Sequence, residues 1–210
     1  MSDFLWQAFA TLLVIIDPFA VVPVYIGLTQ HENAVTKRAI ARKACLIGLI
    51  LLVSFALVGE YLLKLLNISE DAFRIAGGFL LLLAAMEMVM ARNIGFRASS
   101  EKEVGITAHG QDVAVYPLAI PFLAGPGAFT SIVILMGQAK SINTQAEIGV
   151  ILLAISVLMI TYMCLRLSNF IMAVLGNTGT DVLTRVFGII LAGLACQNII
   201  TGVSHFLRTA

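Results

Sequence analysis

The chain has 210 residues, 60% of them hydrophobic and only 12% charged, with a formal net charge of +1. A soluble domain is about half apolar and a quarter charged, and a fold of this size cannot hide so much apolar surface from water, so lipid is the expected solvent. The near-neutral balance removes the basic footprint of a nucleic-acid binder, and Cys45, Cys164 and Cys196 sit singly in apolar runs with neither disulfide nor metal-site spacing.

The opening residues, MSDFLWQAF, carry no basic leader or small-residue cleavage site. The first apolar run is therefore expected to be kept as a membrane helix. A crossing needs about 20 apolar residues, and six runs qualify in chain order: Phe4–Leu28, Ala44–Leu63, Ala72–Ala91, Val113–Gly137, Ile148–Leu167 and Val186–Phe206. The longest polar interval, 92–112, predicts a connecting loop between a first three-helix unit, 1–91, and a second, 113–210. Lys37, Arg38, Arg42, Lys43, Arg92, Arg97, Lys102, Arg166 and Arg185 fall on one side of these crossings, against Lys64, Arg74, Lys140 and Arg208 on the other. By the positive-inside rule the larger group is cytoplasmic, which puts both termini outside a prokaryotic inner (plasma) membrane.

The two units repeat one another. Residues 18–23 read PFAVVP and 121–126 read PFLAGP, each in the first helix of its unit; FRIAGGFLLLLA (73–84) matches TRVFGIILAGLA (184–195) in the third helices. Three crossings per unit make the second copy enter from the opposite side. The expected fold is thus all-α and polytopic, six transmembrane helices as two inverted three-helix repeats with broken first and fourth helices. In transporters built this way, interrupted helices in matching positions mark the substrate site near the midplane.

Pro18, Pro23, Pro121 and Pro126 each delete a backbone donor, and in lipid an unpaired backbone group costs several kcal/mol unless protein or a wet cavity covers it. Gly125 and Gly127 flank Pro126 and tolerate unusual dihedrals. A half-helix starting near Pro126 turns free N–H groups and positive dipole inward, suited to a carboxylate, while the segment before it ends in carbonyls suited to a cation or ammonium. Thr130 and Ser131 lie one turn further on. Plain proline kinks in a packed bundle are the alternative, although they leave the matched pairs unexplained.

Asp17 falls roughly 16 Å from the inner end of its run, at 1.5 Å per residue. A mid-membrane carboxylate is a functional candidate, for a proton, Na⁺ or a substrate ammonium, and it also suits the cap of a helix beginning at Pro18. Gln197 and Asn198, midway along the last helix, either bond across helices or face the cavity. Glu60 and Glu87, near helix ends, read as snorkelling to water, and Gly77 and Gly78 as close packing. His31, His109 and His205 form no metal-ligand pair.

With these residues in view the chain resembles the MarC family of integral membrane proteins over nearly its whole length. The resemblance rests on DPFAVVPVYIGLT (17–29), RIAGG (74–78), PLAIPFLAGPGAFTSI (117–132) and TRVFGIILAGLACQNIITG (184–202). It implies six helices and, for some members, transport of small neutral amino acids such as glycine and alanine. The expected function is secondary transport of such solutes by alternating access. The site is expected at Asp17, Pro18, Pro23, Pro121, Gly125, Pro126, Gly127, Thr130, Ser131, Gln197 and Asn198, with Asp17 also holding a coupling Na⁺ or H⁺. The expected partners are the amino-acid substrate and the lipid bilayer, with a homo-oligomer allowed and no nucleic acid. No cofactor, metal site or nucleophile–base pair is expected, and hence no enzyme. Export of other small metabolites, or a non-transporting membrane scaffold, are the other readings.

Overall fold

The computed structural model describes residues 1–90 and 112–209. The expected loop at 92–112 thus lies outside the described residues except for Asp112. The described residues are helical throughout. Five helices are long and apolar enough to cross a membrane, and a sixth span results if one bent pair counts as a single crossing.

The first span is broken. Helix α1, Ser2–Ile16, ends at Asp17, whose backbone is left-handed (φ 43°, ψ 73°). Pro18 cannot continue a helix, because it lacks an N–H and its ring restricts the residue before it. It can, however, begin the next helix, α2, Pro18–Leu28. The Asp17 carboxylate accepts from the Ala20 N–H at 3.3 Å. A left-handed residue costs about 1–2 kcal/mol and an N-cap contributes about 1 kcal/mol, so the cap offsets most of the turn that creates it. At the far end of α2, the Tyr25 hydroxyl donates to the Lys37 carbonyl at 2.8 Å and ties this helix to the next.

Helix α3, Ala34–Leu65, begins ten residues before the apolar run that announced it. Asn33 caps it by accepting from Val35 and Thr36 N–H. Its 32 residues rise about 48 Å, so its basic first turns extend beyond a hydrocarbon layer of about 30 Å. Helix α4, Glu70–Met90, follows.

The fourth span departs further from a helix than expected. Its first part, α5, Ala114–Leu123, is wound wide: Leu118 and Ala124 N–H reach carbonyls five residues back. Tyr116 and Ile120 are extended, each before a proline joined by a cis peptide bond, Pro117 and Pro121. Helix α6, Pro126–Ile142, then leaves at 54° to α5. A Cβ on Gly125 would lie 2.5 Å from the Pro121 carbonyl oxygen, so the chain can fold back on itself here only at a glycine. Helix α7, Thr144–Arg166, is capped by Asn143. Helix α8, Ser168–Thr209, also starts earlier than its apolar run and breaks at Gly176 (φ 62°).

The broken spans are the inner ones. Over its most apolar stretch Ser2–Leu28 is 56% buried, whereas α3, α4, α7 and α8 are 22–33% buried. Residues 130–136 of α6 are all buried, as expected of a helix apolar on every side, and α6 packs against α1, α3, α4 and α7. The outer helices turn Leu46, Ile50, Phe79, Leu83, Leu152 and Met159 outward. The closest pair, α4 and α8, run antiparallel with glycines between them: Gly78 lies against Ile199, Gly188 against Met88 and Gly202 against Ile75.

Candidate functional site

The break of the fourth span opens on a cavity of about 60 Å³. One buried water needs about 10–15 Å³ of such space, so the cavity holds a handful of waters or one very small solute. One wall is backbone-rich and comes from the break itself: Pro121, Gly125, Pro126, Gly127 and Ala128. The facing wall is a stripe of α4: Leu80, Ala84, Glu87 and Met88. Ile15 joins them from the end of α1, and its Cγ2 lies 3.8 Å from where a Gly127 Cβ would be. The two breaks in the chain therefore meet at this point.

Helix geometry gives the cavity its polarity. No side chain caps α6; Gly125 has none to offer and Pro126 has no N–H. The Gly127 and Ala128 amides are among the first-turn donors for which an α-helix supplies no acceptor. They sit at the positive end of the helix dipole, on residues that line the cavity. Opposite stands the Glu87 carboxyl, half-buried and the one titratable side chain among the described lining residues.

The other expected site residues are distributed around this point. Asp17 is fully buried at the neighbouring break and caps α2 through Ala20; it does not line the cavity. Pro18 begins α2, and Pro23 lies inside it. Thr130 donates its hydroxyl to the Pro126 carbonyl at 2.9 Å. Its methyl fills the slot at Gly77, where a Cβ would come within 1.7 Å of it, so Gly77 is a packing glycine. The Ser131 hydroxyl is buried without a hydrogen-bond partner among the described residues. Gln197 is exposed on α8, where its amide donates to Thr201 at 3.2 Å, and Asn198 is half-buried beside it. Neither lines the cavity.

Glu87 lines the cavity, whereas sequence reasoning read it as a snorkelling charge near a helix end. The signal was available. Gly77, read as a close-packing position, shares a helical face with Leu80, Ala84 and Glu87, so the neighbour of Gly77 is also the neighbour of Glu87.

Ion pairs mark the ends of the bundle. At the basic end Lys43 pairs with Asp112, whose other oxygen accepts from the Ala114 N–H and so fixes the start of α5. The Lys43 ammonium holds the Asp112 carboxyl below the usual carboxylate range. At the opposite end Glu60 accepts from Lys64 and Lys140, joining α3 to α6. There, too, His205 meets Asp71 at 2.7 Å between α8 and α4.

Comparison with known proteins agrees with this architecture. The family described as MarC family integral membrane protein matches residues 2–207. The UPF0056 membrane protein MJ1677 of Methanocaldococcus jannaschii is 37% identical, over 93% of this chain and 94% of its own. UPF0056 membrane protein YvbG of Bacillus subtilis is 30% identical, over 97% and 95%, and YhcE of Escherichia coli 31%, over 94% and 91%. No solved structure matches the chain. On this evidence the chain belongs to the MarC family of integral membrane proteins.

Proposed function

We propose that the protein is a secondary transporter of small neutral amino acids, of glycine or alanine size, working by alternating access in the inner membrane. The observation that carries this reading is the cavity at the uncapped start of α6, where the breaks of two inner spans meet. Irregular backbone deep in a bilayer persists where it is covered or lines a wet cavity, and here it lines a cavity scaled to a very small solute. The Gly127 and Ala128 amides receive the substrate carboxylate. Asp17, buried at the adjoining break, is the residue for a coupling H⁺ or Na⁺. The basic end faces the cytoplasm, with both termini outside.

The packing supports two inverted repeats. Exchanging span one with four, two with five and three with six turns the α1–α7 contact into α5–α3, and the α2–α8 contact into α6–α4; all four pairings occur. The pairs that map onto themselves, α3–α7 and α4–α8, are in contact as well. The exchange is incomplete: α6 packs on α7, whereas α2 has no comparable contact with α3, and it fails again beside the cavity. α1 packs on α8, whereas α5 has no comparable contact with α4, and the cavity lies between those two elements. We read the asymmetry beside the cavity as one half of an alternating cycle that opens toward the basic end.

Uptake of labelled glycine or alanine into liposomes holding the purified protein, with and without Na⁺ and pH gradients, tests the proposal. Saturable flux is expected under at least one gradient, and none under any gradient rejects it.

A further inference from the structure

We propose that Glu87 recognises the ammonium group of the substrate, across the cavity from the amides that take its carboxylate. This rests on the transporter reading and assigns a role that the reading leaves open. Among the described residues lining the cavity, Glu87 is the sole titratable side chain. Its direction is set by its helix: Leu80, Ala84, Glu87 and Met88 recur at helical spacing along the face that Gly77 presses onto Thr130 of α6. The carboxyl therefore belongs to the wall opposite the break.

The two walls carry opposite sign. The start of α6 is positive through its dipole and amide donors; the α4 wall carries a carboxylate. A solute bearing both charges on adjacent atoms satisfies both walls. An amine without a carboxylate leaves the amide wall unmatched, and an acid without an ammonium forgoes the contact with Glu87. Phe122 and Leu191 add to the apolar lining, a rim fit for a hydrogen or a methyl at the substrate α-carbon. Asp17 does not compete for this role, since it lies off the cavity and accepts from Ala20.

The test is solute counterflow in proteoliposomes, which needs no ion gradient: unlabelled glycine inside, labelled glycine outside. In the wild type, glycine should compete, whereas methylamine, acetate and N-acetylglycine should not. Glu87→Gln should raise the KM for glycine roughly tenfold or more, the scale of one charge-assisted hydrogen bond, with Glu87→Asp between the two. An unchanged KM in Glu87→Gln protein of native helical content overturns the assignment. So does N-acetylglycine competing as well as glycine in the wild type, a measurement that needs no variant to fold. Wild-type protein without counterflow rejects the transport reading itself, and the assignment with it.

Discussion

At Gly77 the fit between two helices comes down to one methyl group. Any Cβ there would come within 1.7 Å of the Thr130 methyl, so Gly77→Ala forces α4 away from α6 and should lower stability by about 1–3 kcal/mol, as overpacking does. Thr130→Ser keeps the hydroxyl bonded to Pro126 and removes the nearest obstacle, which leaves the Cβ of residue 130 at 2.9 Å. The double variant should regain much of the loss, which paired melting curves in detergent would measure. Asp17 separates structure from function in another way. Asparagine caps helices about as well as aspartate, so Asp17→Asn should melt within about 1 kcal/mol of the wild type while losing gradient-driven accumulation of glycine. Asp17 stood out in the sequence because a charge at mid-span beside a proline has few structural uses. Glu87 did not, because a charge near the end of an apolar run can reach water without disturbing anything, and the run alone does not say which way its helix faces.

At the scale of elements, the six spans and the two breaks were legible, since about 20 apolar residues make a crossing and a proline can stop one helix and start the next, although Pro23 sits inside α2 without breaking it. Boundaries were less so. α3 starts at Ala34 because Asn33 caps it, and Lys37 to Lys43 are good helix formers that interrupt an apolar run without interrupting a helix. The wide winding of α5 was not foreseen because Pro117 joins Pro121 in shaping it. Two element-scale predictions follow from local geometry. Gly176 has φ 62° and open space around it, so Gly176→Ala meets a conformational cost alone, about 1–3 kcal/mol. Gly193, also in open space but within the continuous helix, should gain up to about 1 kcal/mol from the same change. Thermal unfolding should therefore shift in opposite directions. The Lys43–Asp112 pair makes the start of α5 sensitive to acid. The Asp112 carboxyl is lowered in the folded chain, so its contribution is complete above about pH 4 and fades as pH falls through the lowered value. Amide exchange at Ala114 and Val115, corrected for its intrinsic rate, should rise in acid. In Lys43→Ala it should be raised already at neutral pH and depend little on pH.

For the whole molecule, the unequal packing of α1 on α8 and of α5 on α4 makes a directional prediction. Ala84 lines the cavity on the α4 side and is half-buried. With Cys45, Cys164 and Cys196 replaced by alanine, Ala84→Cys should react with a membrane-impermeant maleimide applied at the basic face, be slowed by glycine, and resist the same reagent from the opposite face. Faster labelling from that opposite face would contradict the proposed opening. The overhang of α3 bears on how the protein is mounted. Four cations, Lys37, Arg38, Arg42 and Lys43, ride on its first turns, and each gains about 1 kcal/mol beside an anionic lipid surface. Together they favour one insertion over its mirror by roughly 4 kcal/mol, close to a thousandfold. If the proposed repeats make the bundle near-symmetric, able to sit either way up, its bearing is expected to be chosen by the lipids at a single rim.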